Sequence, residues 1–288
     1  MEPDLVVRQA VTVLSTVAVL VIVSVGLAVI FGVMRIINLA HGEFLMLGAY
    51  SVLVISRAGA PLWAGLMVAP VAVGLIGLAV ERLVIRFLYG RLIATMLATW
   101  GLSLVLVQLV VMIFGPATQG VPTPLGSLRV GGYRISEYSL ALIGFAIGLL
   151  VATYSLFTRT RYGLLARAAS QNPLMAQALG VNTGRTNAAT FALGAALAGL
   201  AGAMLAPVVG VVPSMGQAFI ARAFMTVIVG GPAVLTGMGS AAALLGGAES
   251  LVSQASTAFL GQAALLLLAV ILLRIMPQGL SGSWGRRL

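Results

Sequence analysis

Few side chains in this sequence can do chemistry, and three of them stand together in INLAHGEFLMLGAY, residues 37–50. Asn38, His41 and Glu43 are types that serve proton transfer, nucleophile activation or metal binding. His41 is the single histidine, and the chain has no cysteine and no lysine. Ser-His-Asp, Cys-His and Ser-Lys arrangements therefore lack members, and His41 with Glu43 alone leaves a metal under-coordinated. We predict no catalytic residues, no metal site and no enzyme activity.

A nucleotide site is also missing from the sequence. The phosphate loop of ATP-binding proteins requires a lysine that this chain cannot supply. We expect no cofactor in this chain. If ATP drives its function, ATP and Mg²⁺ bind to partner subunits.

The elements that must position these residues are apolar runs. The chain of 288 residues is 60% hydrophobic and 8% charged, with a mean hydropathy of +1.12. This composition, with runs of about 20 apolar residues, predicts an all-α polytopic membrane protein with about eight to nine spans in one domain, residues 1–288. Segments 36–56 and 216–231 are the least certain, and either could be re-entrant. The predicted spans are 10–33, 36–56, 62–85, 92–114, 136–157, 187–212, 216–231, 236–257 and 259–276.

The 16 arginines against six acidic residues suggest orientation and not nucleic-acid binding, because most of them lie in the short connections between apolar runs. Eleven fall on one predicted side, which the positive-inside rule makes cytoplasmic. The N-terminus is then outside, the C-terminus inside, and lipid surrounds the spans. The inside set is Arg35, Arg82, Arg86, Arg91, Arg159, Arg161, Arg167, Arg185, Arg274, Arg286 and Arg287.

Two connections are long. Residues 115–135 are rich in proline and glycine and are predicted to form an ordered external loop. Residues 158–186 favour two short cytoplasmic helices, broken at Asn172–Pro173 and ended at Gly180. Their small apolar residues, among them Ala176, favour a docking surface for a cytoplasmic partner over a simple tether.

Polar groups inside predicted spans usually mark a pathway or an ion pair. On one helix Asn38 and His41 would share a face, whereas Glu43 would lie opposite and could pair with Arg222. Helix ends and neighbouring backbone could equally satisfy all three residues. The predicted path or gate residues are Asn38, His41, Glu43, Arg222 and Glu249.

Small residues recur every fourth position in the run 191–205. Gly194, Ala198 and Gly202 form one row, which lets helix backbones approach closely in lipid. We interpret this row as a helix-packing surface.

The stretch 37–50 resembles a signature of the permease subunits of branched-chain amino-acid ATP-binding-cassette importers. The resemblance covers nearly the whole chain in order. It includes GLAVIFGVMR (26–35), ERLVIRFLYGR (81–91), RTRYGLLARAASQNPLMAQALGV (159–181), FALGAALAGLAGAML (191–205), Gly230–Gly231 and PQGLSG (277–282).

Several expectations follow from this resemblance alone. It implies a bacterial inner-membrane permease that forms a heterodimer with a second, homologous permease subunit. It also implies two cytoplasmic ATPase subunits and a periplasmic or lipid-anchored solute-binding protein. The connection 158–186 resembles the loop that couples to the ATPase, which assigns that role to Arg167, Asn172, Pro173, Ala176, Ala178, Leu179 and Gly180.

For the substrate, residues 81–108 and 209–225 are most similar to the urea and short-chain-amide branch of the family. The main expectation is therefore a small neutral solute, urea or a short amide. Branched-chain or hydrophobic amino acids are the alternative. A more distant alternative is a stand-alone channel or ion-coupled carrier, with Glu43, His41 and Glu249 as a proton relay.

Overall fold

A computed structural model describes residues 3–130, 133–231 and 234–282 of the chain. Within these ranges the protein is almost entirely helical, as predicted. The helices are α1 Pro3–Met34, α2 His41–Arg57, α3 Leu62–Leu83, α4 Leu92–Phe114, α5 Glu137–Arg159, α6 Arg161–Gln171, α7 Pro173–Ala178, α8 Thr183–Val209, α9 Met215–Gly230, α10 Val234–Ala255 and α11 Ala258–Ile275, with a 3-10 helix at Ile85–Leu88 and strands β1 Ser127–Val130 and β2 Tyr133–Ser136.

Six of the described helices are long and apolar enough to cross a bilayer. They are α1 (from Val6), α3, α4, α5, α8 and α11. The two segments predicted as least certain are the short ones, since α2 has 17 residues and α9 has 16. The multi-spanning helical architecture is confirmed, and eight to nine crossings remains a prediction.

The start of the second span differs from the prediction. Residues 36–40 are not helical, and α2 begins only at His41. Arg35 ends α1 in the left-handed region, with a φ of 53°, where residues other than glycine are uncommon. The placement of Asn38 and His41 on one helix face was therefore wrong, because Asn38 precedes the helix.

The chain divides into two compact units. One unit comprises residues 25–122 and 152–221, and we call it the α8 unit. The other comprises residues 1–24, 123–151 and 222–288, and we call it the α10 unit. A single domain over residues 1–288 remains a prediction.

Close backbone approach organises the α8 unit. A methyl group at Gly202 would lie 1.7 Å from the Leu45 carbonyl oxygen of α2, and one at Gly194 would lie 2.8 Å from the Gly26 carbonyl oxygen of α1. Ala198 is buried on the same row, between these two glycines. Helix α8 thus contacts α1 and α2 at backbone distance, an approach that only small residues permit.

The α10 unit contains residues 123–135 of the predicted external loop and the C-terminal segment. The loop carries an antiparallel hairpin in which Ser127 pairs with Ser136, a short β element that the all-helical prediction did not include. At the other end, the amides of Leu280 and Ser281 donate to the carbonyl oxygens of Val229 and Gly230. The C-terminal turn therefore satisfies backbone groups that the end of α9 leaves open.

Candidate functional site

The polar residues at the entrance of α2 hold non-helical backbone in place within the α8 unit. Asn38 is fully buried, and its side-chain oxygen accepts from the Ala40 amide at 3.1 Å. The Leu39 amide donates to the Thr99 hydroxyl of α4 at 3.1 Å. These two bonds supply acceptors to the Leu39 and Ala40 amides, which lie in non-helical backbone where water is scarce.

Glu43 follows in the first turn of α2 and is 2% exposed. Its carboxyl group accepts a hydrogen bond from the Ser103 hydroxyl of α4. Thr99 and Ser103 are both buried and lie four residues apart, so they share one face of α4. Helix α4 therefore presents a stripe of hydroxyl groups to the start of α2.

Helix α9 crosses α2 at the same place. A methyl group on Gly216 would lie 2.3 Å from the Gly42 carbonyl oxygen and 2.5 Å from Oε2 of Glu43. His41 is fully buried, and its imidazole Cε1 lies 3.1 Å from where a side chain on Gly26 of α1 would begin. The stretch 38–43 is thus a junction at which α1, α4 and α9 meet the entrance of α2.

The cation predicted for Glu43 has a different partner. In the described part of the chain, Arg222 of α9 forms an ion pair with Glu249 of α10. The distance between Nη1 and Oε1 is 3.0 Å. The suggested pairing of Glu43 with Arg222 is therefore wrong. Both ends of the observed pair are largely buried, with 17% and 7% of their side chains exposed, and Oε2 of Glu249 is buried without a hydrogen-bond partner in the described structure.

The path residues of the sequence prediction thus separate into two groups. Asn38, His41 and Glu43 lie together at the α2 entrance in the α8 unit. Arg222 and Glu249 form their own ion pair in the α10 unit. Hydrogen bonds to hydroxyls and backbone hold the first group, and opposite charges hold the second.

The connection 158–186 contains the two predicted short helices. Helix α6 ends at Gln171, Asn172 caps α7 by accepting from the Met175 amide at 3.0 Å, and Pro173 occupies its first turn. Gly180 stops α7 with a φ of 85°, a conformation that glycine adopts without strain. Local turn signals determine this geometry, which explains why the sequence predicted it.

The two helices have one inward and one outward side. Gly163, Ala166 and Ala169 of α6 and Ala176 of α7 are buried. Ala176 therefore packs inward and does not belong to the outer surface, contrary to its expected exposure. Arg167 and Ala178 are exposed. We call the large apolar side chains on the outside the α7 surface, and these are Leu174 (78% exposed), Met175 (58%) and Leu179 (78%).

Hydrogen bonds fix this connection to the helices of its own unit. Ser170 of α6 donates to the Gly32 carbonyl oxygen of α1 at 3.0 Å. The Tyr162 and Thr190 hydroxyls, on α6 and α8, are 2.8 Å apart. Gln177 of α7 donates to the Thr183 hydroxyl at the start of α8 at 2.7 Å. The α7 surface is therefore mounted on the membrane helices and is not a loose tether.

Several of these residues were not singled out from the sequence. Thr95, Thr99 and Ser103 recur at four-residue spacing within ATMLATWGLS, and all three are buried. That spacing is a helical polar stripe and could have been recognised. Nothing local could have identified their partners, because the contacts to Leu39 and Glu43 span 60 residues.

Comparison with known proteins identifies the family. Residues 9–276 match the family described as the permease component of branched-chain amino acid transport systems. The high-affinity branched-chain amino acid permease protein LivH of Salmonella typhimurium is 31% identical over 280 residues, covering 91% of this chain and 90% of that protein. The Escherichia coli K12 protein of the same name is 30% identical over 281 residues, with the same coverage.

A second permease type also matches at lower identity. The LivM permease protein of the Salmonella typhimurium branched-chain amino acid system is 25% identical over 307 residues, covering 96% of this chain and 71% of that protein. No solved structure matches the chain significantly.

Proposed function

The chain belongs to the permease family of branched-chain amino acid ATP-binding-cassette transport systems, and we propose that it forms half of the translocation path of an importer for branched-chain amino acids. It is the membrane subunit, and ATP hydrolysis takes place in partner subunits. This function places it in the bacterial inner membrane, with the N-terminus outside and the C-terminus in the cytoplasm.

The substrate follows the alternative expectation from the sequence and not the main one. Relatives named for branched-chain amino acid transport match about nine tenths of the chain. The preference for urea or short amides rested on two segments, and no such transporter stands among the relatives reported above. We therefore propose leucine, isoleucine and valine as the substrate class.

The partner set has the same basis. The chain matches both LivH and LivM proteins, which supports pairing with a second, homologous permease. Two cytoplasmic ATPases and a periplasmic or lipid-anchored solute-binding protein complete the proposed complex. ATP and Mg²⁺ bind to the ATPases.

The observation that carries the ATPase-coupled function is the α7 surface. Leu174 and Leu179 are each 78% exposed. They do not belong to the membrane-spanning helices, so lipid does not cover them. Such exposed apolar residues favour a protein partner. The buried side of α6–α7 packs inward, so an ATPase that binds the α7 surface would act directly on the membrane helices.

We assign gating roles to the two polar groups. Bonds to Ala40, Thr99 and Ser103 hold the junction at residues 38–43, although Nδ2 of Asn38 is buried without a hydrogen-bond partner in the described structure. We propose that this junction braces the entrance of α2 beside the path. The Arg222–Glu249 pair retains an unpartnered carboxylate oxygen. A pair with such spare capacity can rearrange when access alternates, so we propose it as the part of the gate that changes.

Reconstitution of the complex in liposomes tests this function. With both permeases, the ATPases and the binding protein, we expect ATP-dependent uptake of radiolabelled leucine and stimulation of ATP hydrolysis by leucine. Stimulation by urea or acetamide alone would contradict the proposed substrate class. Gradient-driven uptake by this chain without ATPases would instead establish the stand-alone carrier.

A further inference from the structure

Two sequence motifs that have no role in the proposed function meet within the α10 unit. Gly230–Gly231 stands at the end of α9, and PQGLSG, residues 277–282, follows α11. We call residues 277–282 the C-terminal turn. The Ser281 hydroxyl of this turn donates to the Gly230 carbonyl oxygen at 2.7 Å, although the two residues are 51 positions apart. The chain therefore connects the end of α9 to its C-terminal region by a specific polar contact.

The C-terminal turn supplies the hydrogen bonds that a further turn of α9 would have made. In a continuous helix the carbonyl oxygens of Val229 and Gly230 would accept from amides four residues later. Here they accept from the amides of Leu280, at 2.8 Å, and Ser281, at 3.2 Å. Ser281 thus bonds to Gly230 through both its amide and its hydroxyl. The end of α9 is capped by a segment that is distant in sequence.

The turn also packs at backbone distance against both helices. A methyl group on Gly231 would lie 2.6 Å from the Gln278 carbonyl oxygen, and one on Gly279 would lie 2.5 Å from the Gly231 Cα. On the other helix, a methyl group on Gly237, in the first turn of α10, would lie 2.9 Å from the Ser281 Oγ. Ser281 therefore lies where the end of α9 and the start of α10 come together.

The same two helices carry the Arg222–Glu249 pair. Arg222 lies about two helical turns before Gly230, or about 12 Å along α9. A tilt of about 10° at the end of α9 would therefore displace Arg222 by roughly 2 Å. The paired atoms are 3.0 Å apart, so a displacement of this size is comparable with the difference between a made and a broken hydrogen bond. The angle at which α9 and α10 meet thus affects whether the pair forms.

We propose that Ser281 is a positioning residue, which holds the C-terminal turn against α9 and thereby sets the angle between α9 and α10. The hydrogen bonds of the turn are either made or broken, which gives the discrete arrangements that a conformational switch requires. The inference rests on the proposed gating role of the Arg222–Glu249 pair and adds the element that aligns this pair.

Pulsed electron paramagnetic resonance measures the arrangement of the two helices directly. The chain contains no cysteine, so Ile228→Cys on α9 and Leu244→Cys on α10 place spin labels at two chosen exposed positions. The complex is assembled with cysteine-free partner subunits. In this background Ser281→Ala removes the hydroxyl bond to Gly230 and should shift or broaden the distance distribution by about 2 Å.

Ser240→Ala is the matched control for this measurement. The Ser240 hydroxyl also donates to a glycine carbonyl oxygen, that of Gly237 at 2.8 Å, but both residues belong to α10. Its loss removes a bond of the same kind without separating two elements. The control should keep the wild-type distance distribution.

Transport by the same complexes without spin labels gives the functional readout. Leucine uptake and ATP hydrolysis are measured in the same vesicles. Ser281→Ala should lower the leucine taken up per ATP by about fivefold, with ATPase retention unchanged, whereas Ser240→Ala should keep the wild-type ratio. This ratio separates positioning from simple stability, because a loss of folded complex lowers uptake and hydrolysis together.

A second variant keeps the proposal testable if Ser281→Ala does not assemble. Gly231→Ala would displace the Gln278 carbonyl oxygen and should change the distance and the ratio in the same direction. Gly247→Ala in α10 is its control, because nothing lies within 4 Å of the new methyl group, and it should change neither.

The positioning role is refuted if Ser281→Ala keeps the wild-type distance distribution, or if it changes that distribution while uptake per ATP stays at the wild-type value. Uptake and hydrolysis lowered in equal proportion would also refute it. A wild-type complex without leucine-stimulated hydrolysis would contradict the proposed function itself, and the label distances would still show whether the C-terminal turn sets the helix angle.

Discussion

The two buried polar groups, one at the α2 entrance and one between α9 and α10, are stabilised in different ways. At the α2 entrance, Glu43 is 2% exposed and is held by the Ser103 hydroxyl. In the α10 unit, Glu249 faces the guanidinium of Arg222 at 3.0 Å. A neutral hydroxyl can donate to the carboxyl group whether or not that group is charged. A buried ion pair, in contrast, depends on the charge of the carboxylate. The same substitution should therefore have different consequences at the two glutamates.

The largest effect should come from Glu249→Gln. It leaves the Arg222 charge without its counter-ion in a largely buried site and should lower the free energy of unfolding by about 3 kcal/mol. Thermal unfolding of the purified protein in detergent measures this loss. Adding Arg222→Met removes the uncompensated charge and should recover most of the stability. A double variant no more stable than the single one would contradict the ion-pair account.

The next effect concerns the backbone crossing at the α2 entrance. In Gly216→Ala the new methyl group would meet the Gly42 carbonyl oxygen at 2.3 Å, and forcing the helices apart should cost about 2 kcal/mol. Gly101→Ala in α4 is the matched control, because nothing lies within 4 Å of its new methyl group. The control should be neutral or stabilising, since alanine favours helix. Equal loss in both variants would show that the crossing is not close-packed.

A smaller effect is expected where α4 supports the non-helical segment. Thr99→Val keeps the side-chain shape but leaves the Leu39 amide without its 3.1 Å acceptor, which should cost about 1 to 2 kcal/mol. Thr158→Val removes an exposed hydroxyl that donates to the Tyr154 carbonyl oxygen and should change the unfolding midpoint much less. Identical midpoints for the two variants would remove Thr99 from the junction.

The smallest effect should come from Glu43→Gln. The amide oxygen can still accept from Ser103, so the free energy of unfolding should change by less than about 1 kcal/mol. A loss as large as that of Glu249→Gln would mean that Glu43 carries a charge that the structure leaves uncompensated. The contrast between the two glutamates would then disappear.

Much of the helical layout was predictable, because apolar runs and turn residues act locally. Helix α4 begins and ends where its apolar run does, and α6 and α7 break at Asn172–Pro173 as the sequence indicates. The entrance of α2 was not predictable in the same way. Residues 36–40 are not helical, and the Leu39 amide donates instead to Thr99, 60 residues away. No local sequence pattern predicts such a partner.

Which acidic residue pairs with Arg222 could not be predicted from the sequence either. Arg222, Glu43 and Glu249 were all recognised as buried polar residues, but sequence spacing does not determine which acid faces the arginine. The structure makes that choice through the contact of α9 with α10. Helix faces can be read from a single sequence, whereas pairing between helices requires the fold.

The central claim, that the α7 surface binds the ATPase, is tested most directly with Ala178→Arg. Ala178 is exposed beside Leu179, so a long charged side chain should block docking without disturbing the core. The measurement is the amount of ATPase that co-purifies with the tagged permease pair, with Thr158→Arg as the control at an exposed position near the end of α5. We predict that Ala178→Arg lowers ATPase retention at least about tenfold, as loss of an interface hot spot does, while the control retains it. Wild-type retention by Ala178→Arg, together with wild-type leucine uptake, would contradict the claim.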